Sequence, residues 1–298
     1  MPIGESTELA RFMATAVITF VYNEIVNLPI WRRYYGGIFG ERNLFVIDHS
    51  SSDGSTDDLG LVNKLWLARK ELDEHKRCVF MASFVRGLLE YFDTAIYTDC
   101  DEMLVPDLAI YKNLQDYLDR NDFEYMAPVG MNVQHIISLE PPLNLAWPIL
   151  RQRRFARFTN SMCKPLITRI PIVWATGFHA SDQPANIDPN LFNLHLKPMD
   201  YDIGLKKQKL TREMAWAASS LAAGHGAHAR YDDERFIRES FLDANNLATN
   251  PQYGVQPFEF SEEIERFKSE VVYRGGIYYG PHGNGKVVEI PERLRAAF

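Results

Sequence analysis

Short, largely apolar runs that each stop at a polar or acidic cluster constrain this chain more than any other feature. Residues 14–21 (ATAVITFV) run into Asn23-Glu24, residues 44–48 (LFVID) into Asp48-His49, and residues 95–98 (AIYT) into Asp99-Cys100-Asp101-Glu102. Runs without in–out alternation are expected of strands buried on both faces. Helix-like stretches separate them. Residues 28–35 read as a helix ending at Gly36-Gly37, and residues 59–75 as a long helix after the Ser/Asp/Gly-rich loop 50–58. Residues 78–81 (CVFM) read as a further short strand, 87–92 as helix, 107–121 as helix with Tyr111, Leu114 and Leu118 at helical spacing, and 123–129 as strand. Strands alternating with helices predict an α/β fold with a mostly parallel, Rossmann-like sheet flanked by helices. In open sheets of that kind ligands bind outside the carboxyl ends of the strands, where these polar clusters fall.

The second half is broken by Pro141-Pro142, Pro148, Pro165, Pro171, Pro184 and Pro189. Residues 131–200 read as loops with short strands, and 205–223 and 232–247 as helices. No repeat or linker divides the chain. It is expected to form one domain over 1–298, with a nucleotide-binding half (14–130) and an acceptor-binding half (131–298) that ends in a less regular elaboration.

With 298 residues, 46% of them hydrophobic, the chain can bury a sizeable core without disulfides. A net charge of −7 removes the global basic field that nucleic-acid binding favours. Arg151, Arg153, Arg154 and Arg157 form a local basic patch, read either as an exposed helix face or as a dock for an anionic acceptor or a membrane surface. Cys78, Cys100 and Cys163 have no paired spacing and are expected as free thiols. The N-terminus lacks the pattern of a signal peptide and no run of 18 apolar residues occurs, so a cytoplasmic protein with at most peripheral membrane contact is expected.

Asp99 and Asp101 are the strongest chemical signal. Oxygen ligands suit Mg2+ or Mn2+, which commonly also take phosphate oxygens from a substrate. His195, in Leu194-His195-Leu196-Lys197-Pro198, is the first choice for a third ligand, with His179 its rival. Lys197 and Arg86 are candidates for contacting a diphosphate, and Lys164 and Arg169 weaker ones. Glu24 and Asp48 can accept hydrogen bonds from ribose or base, or serve only as turn and helix-end charges. Asp182 is the chosen general base, with Asp200 and Asp202 as alternatives.

These segments resemble the family 2 glycosyltransferases of GT-A fold, in a branch with an Asp-x-Asp-Glu metal motif. The resemblance rests on Val21-Tyr22-Asn23-Glu24, on Asp48-His49-Ser50-Ser51-Ser52-Asp53-Gly54-Ser55, and on Tyr97-Thr98-Asp99-Cys100-Asp101-Glu102, in that order along residues 14–130. Lys164, Arg169, His179 and Leu194-His195 look like weaker downstream motifs. The resemblance implies transfer from a nucleotide-sugar donor, with uridine diphosphate as the expected carrier, to a glycan, lipid-linked or small-molecule acceptor, with Mn2+ or Mg2+ as cofactor. It implies Tyr22, Glu24, Asp48, His49 and Asp53 near the nucleoside, and Asp99 and Asp101 at the metal and diphosphate. His49 departs from the acidic or amide residue common after the first Asp, and the acidic pair that often holds the base in inverting members is not evident.

Two other readings share parts of this pattern. A catalytically silent nucleotide-sugar or glycan-binding module would have no need of both aspartates. A sugar-phosphate nucleotidyltransferase would want a Gly-rich, basic loop after the first strand, which Val21-Tyr22-Asn23-Glu24 does not supply. A phosphatase of the haloacid-dehalogenase type would carry its Asp-x-Asp after the first strand rather than the fourth.

Overall fold

The computed structural model describes residues 13–242 and 255–298. The N-terminal stretch before residue 13, and the end of the helix expected at 232–247, lie outside the described residues. The strands are β1 (Thr15–Val21), β2 (Leu44–Asp48), β3 (Asn63–Trp66), β4 (Thr94–Tyr97), β5 (Glu102–Pro106), β6 (Tyr125–Gln134), β7 (Phe155–Thr159), β8 (Ile167–Thr168), β9 (Ile187–His195), β10 (Val255–Gln256), β11 (Val272–Arg274), β12 (Ile277–Tyr279) and β13 (Asn284–Glu289). The helices are α1 (Asn27–Phe39), α2 (Glu74–Leu88), α3 (Leu114–Arg120), α4 (Ile149–Gln152), α5 (Tyr201–Glu213), α6 (Ala218–Ala222), α7 (Asp233–Ser240), α8 (Ser261–Ser269) and α9 (Glu292–Arg295).

One large sheet runs β10-β13-β7-β6-β8-β4-β1-β2-β3, with β9 beside β6 and β5 beside β9. The block β4-β1-β2-β3 is parallel throughout. Antiparallel pairs of β8 with β4 and with β6 join it to the second half, where β6 and β9 are again parallel. The arrangement is mixed α/β, with a central sheet flanked by helices and consistent with a Rossmann-like fold. β1 lies between β2 and β4 and is almost wholly buried, which explains its unbroken apolar run.

The structure corrects several expectations. The long helix expected at 59–75 is absent: residues 63–66 form edge strand β3, paired in parallel with β2 from Phe45↔Asn63 to Asp48↔Trp66, loops flank it, and only residues 74–75 are helical, as the start of α2. Residues 78–81 are not a strand but lie inside α2, whose buried Cys78, Met81 and Val85 follow the helical period. Asp73 caps α2, its side chain accepting from the Lys76 N–H at 3.0 Å. α2 ends at Leu88, so only the start of 87–92 is helical, and only Leu114–Arg120 of 107–121 is. α1 continues through Gly36-Gly37 and stops at Gly40, whose φ of 82° suits glycine. The stretch 131–200 holds the end of the ten-residue β6 and all of the nine-residue β9, not only short strands. The helix expected at 205–223 is split into α5 and α6.

The expected basic patch does not form a continuous exposed face either. Arg153 is fully buried, with Nη2 3.2 Å from Asp200 and Nη1 donating to the Pro141 carbonyl at 2.9 Å, and Arg157 is buried as well. The three cysteines are free and buried. Among the described residues no helix is long and apolar enough to cross a membrane.

Candidate active site

The carboxyl ends of β1, β2 and β4 lie side by side, and hydrogen bonds sew the loops that follow them together. After β1, the Asn23 N–H donates to Ser51 Oγ at 3.1 Å and the Glu24 N–H to Ser55 Oγ at 3.3 Å, while Asn23 Oδ1 accepts from the Ser52 N–H at 2.8 Å. Asp48 is buried and acts within its own loop. It accepts from the Ser51 N–H at 2.8 Å and from Thr56 Oγ1 at 2.7 Å, with Lys64 Nζ 3.2 Å away. Asp53 is exposed and accepts from Ser55, with Gly54 at φ 82° completing the turn. Glu24 is buried and paired with Lys207 from α5.

α1 fixes the acidic loop after β4 from below. Trp31 Nε1 donates to Thr98 Oγ1 at 2.8 Å, Tyr35 Oη to the Glu102 carbonyl at 3.1 Å, and Tyr34 Oη to the Leu104 carbonyl at 2.7 Å. Their helical spacing in the sequence announces an amphipathic face; what it packs against is visible only in the fold.

Asp99 and Asp101 are then treated differently. The Asp99 carboxylate meets Arg77, Tyr97 Oη at 2.9 Å and Lys164 Nζ at 3.1 Å. Lys164 is buried and also reaches Glu102 at 2.5 Å. Burial alone would discharge Lys164; Glu102 and Asp99 outweigh it and hold the ammonium charged. Burial likewise works to raise Asp99, but Lys164 and Arg77 prevail and keep its carboxyl far below the usual range. Asp101 instead faces His195, with Oδ2 and Nε2 3.5 Å apart.

The tautomer of His195 follows from its neighbours. Asn132 Nδ2 donates to Thr159 Oγ1 at 2.9 Å, so Asn132 Oδ1 is the atom at 2.7 Å from His195 Nδ1, and that nitrogen carries a proton. In the neutral ring Nε2 then turns a lone pair toward a carboxylate oxygen. Two acceptors so placed require a proton or a cation between them, and a histidine oriented by an amide is a usual way to prepare a metal ligand. Asp101 and His195 therefore fit a divalent cation. Asp99, turned to Arg77 and Lys164, contributes charge and orientation rather than a free oxygen. Among the described residues no three His, Cys, Asp or Glu side chains are grouped to hold an ion without help from a ligand.

Other expected residues fall variously. Tyr22 follows β1, its ring under the Arg69 guanidinium at 3.9 Å; the two Arg69 Nη atoms are buried with no hydrogen-bond partner among the described residues. The ring of His49 stands edge-on to Phe20 at 5.0 Å; burial, then Arg69 and Arg77, push its pKa down to about 4. Lys197 is half-buried, within electrostatic reach of Asp101 and 5.3 Å from the Phe236 ring. Arg86 is exposed at the far end of α2, nine residues or roughly 13 Å from Arg77, and no contact joins it to the acidic loop. Asp182 accepts from the Val173 N–H at 3.0 Å beside the antiparallel bridge of Trp174 with Ser181, and likewise makes no contact with Asp99 or Asp101. Asp200 caps α5 and pairs with Arg153; Asp202 is exposed in the first turn of α5. Arg169 binds the Leu118 carbonyl at 2.8 Å, away from the cleft. His179 donates from Nδ1 to the Ser161 carbonyl at 2.6 Å and touches neither aspartate.

Reading the sequence missed Arg77, Arg69 and Lys207. Arg77 was hidden by the strand assigned to 78–81; once α2 is placed correctly, the arginine one turn from its N-terminus faces the acidic loop. The described non-glycine residues with positive φ are Asn23 (54°), Ser50 (63°) and Phe178 (61°), and all three lie on loops that border this site. Such conformations cost on the order of 1–3 kcal/mol each and gather where function demands a particular geometry.

Compared with known proteins, the chain matches no family model and no curated protein.

Proposed function

We propose that the chain is a metal-dependent glycosyltransferase of GT-A type that moves a sugar from a nucleoside diphosphate sugar, with uridine as the expected base, to a hydroxyl acceptor. The observation that carries this reading is the pairing of opposite charges beside the carboxyl ends of the parallel block β4-β1-β2-β3. Asp101 and His195 offer a cation site, and Arg77, Lys164 and Lys197 surround it with positive charge suited to a diphosphate. Mg2+ or Mn2+ bound at Asp101 and His195 would offset charge on the departing diphosphate.

The chain's own residues supply the rest. Arg77 and Lys164 hold Asp99, which keeps the loop in the conformation that turns Asp101 toward His195. Tyr22 presents a ring face at the expected nucleoside position, and Glu24 an acceptor for ribose once Lys207 yields it. Asp48 and Asp53 support this reading by shaping the loop rather than by offering free oxygens. The acceptor belongs to the half of the cleft lined by residues after 131.

Release of UDP from a panel of UDP-sugars, with Mn2+ and with mixed glycoside acceptors, tests the assignment. The wild type is expected to turn over at least one donor, and Asp101→Ala to lose about 10²-fold or more of that rate while remaining folded. Full activity in Asp101→Ala would sink the assignment. Tight binding with no turnover on any donor would make the chain a nucleotide-sugar-binding module.

A further inference from the structure

The chain contains a second histidine prepared for chemistry, and neither the cation site nor the diphosphate cradle uses it. His179 follows Gly177 (φ 74°) and Phe178 (φ 61°), two consecutive left-handed residues of which only the first is glycine. The strained loop is clamped at the site. The Phe178 ring lies 4.1 Å from the Tyr97 ring, and the Tyr97 hydroxyl in turn binds Asp99. Arg77 stacks on Phe178 at 5.0 Å, and Cys78 Sγ donates to the Ala175 carbonyl at 3.2 Å.

This clamping sets the histidine's proton. A carbonyl can only accept, so the 2.6 Å contact with Ser161 places the proton on Nδ1, and in the neutral ring the lone pair is on Nε2. Nε2 has no hydrogen-bond partner among the described residues. A Cβ on Gly177 would stand 2.7 Å from His179 Cδ2 and 2.9 Å from Nε2, so only glycine leaves that edge of the ring clear. His179 also lines a small cavity, with room for a water-sized group, together with Ser181, Gln183, Asn186 and Tyr278.

We propose that His179 is the general base of the transfer, its unpartnered Nε2 taking the proton of the acceptor hydroxyl; the proposal rests on the glycosyltransferase reading above. Nε2 takes the hydroxyl proton as the acceptor oxygen bonds to the anomeric carbon. The bond from that carbon to the diphosphate oxygen breaks, and its electron pair leaves with the nucleoside diphosphate. The displacement inverts the anomeric centre. Asp182, the base expected from sequence, has its carboxylate engaged by the Val173 N–H instead.

The charged and titratable groups around His179 include Lys164, His228, Asp99, Cys163 and Tyr278 of the same cavity and, ring to ring at 6.2 Å, His282. Burial, then the Lys164 ammonium, push its pKa down to about 3. A donor diphosphate beside Lys164 adds negative charge and raises it, so the base gains strength when the donor is in place.

Wild type and His179→Gln are compared by UDP release from UDP-sugars with water as the acceptor, by calorimetry of UDP with Mn2+, and by ring ¹⁵N spectra. The variant is expected to lose about 10²- to 10⁴-fold in kcat with the UDP affinity held within about twofold, and the acid limb of the wild-type pH profile to disappear. The wild-type ring is expected to be neutral with the proton on Nδ1 near neutral pH. Unchanged kcat, a parallel loss of UDP affinity, a retained product anomer, or a ring that is charged or protonated on Nε2 would each overturn the proposal. A wild type that binds no nucleoside diphosphate removes the glycosyltransferase reading and the proposal with it. The ring spectrum, which needs no turnover, separates that failure from an error about His179 itself.

Discussion

Asp99 and Asp101 stand one residue apart in sequence and have opposite surroundings. Asp99 faces Lys164 and Arg77, whereas Asp101 faces His195. The motif was legible from its position after an apolar strand. The division of labour was not, because the residues that create it arrive from α2, from the loop after β7 and from β9. The same holds for His49. In sequence it is a departure from the family pattern; in the fold it is a ring held neutral by burial and by the positive charge of Arg69 and Arg77. Its folded pKa of about 4 lies below the 6.5 of an unperturbed histidine, so between those values the unfolded chain binds more protons than the folded one. The stability it contributes is complete above pH 6.5 and is lost as pH falls toward 4. His49→Gln should therefore flatten the decline of the urea midpoint across that window. An unchanged slope would show that His49 already titrates normally in the folded protein.

At the scale of elements, strands buried on both faces were the readable part. β1, β2 and β4 are central and largely apolar, and their bounds fall within a residue or so of those expected. Errors came where pairing overrode local pattern. Residues 63–66 (NKLW) lie inside a stretch that reads as helix yet form an edge strand, because β2 offers them a partner with matching register. The β-branched and aromatic run at 78–81 is helical because its i, i+3, i+7 positions face the core. Gly36-Gly37 looked like a stop, but α1 continues because Phe39 beyond it is buried. Gly37 is exposed in that helix and a Cβ there would meet nothing within 4 Å. Gly37→Ala should stabilise the protein by about 0.5–1 kcal/mol, raising the thermal midpoint by a few degrees. A lower midpoint would mean that α1 needs a break at that position.

For the whole molecule, the sheet itself ties the expected halves together. β9, from the second half, lies between β5 and β6 from the first. The same strand ends at His195, so the element that completes the sheet also brings the nitrogen opposite Asp101. Arg293 of α9 closes the far edge with a double hydrogen bond to Asp107. The central claim is that this junction binds a divalent cation and a nucleoside diphosphate together, and calorimetric titration of UDP with and without Mn2+, on wild type, Asp101→Ala and His195→Ala, tests it most directly. The account predicts Mn2+-dependent binding in the wild type that both variants lose by about tenfold or more, as expected when a metal ligand is removed. UDP binding that ignores Mn2+, or that survives intact in both variants, would contradict it.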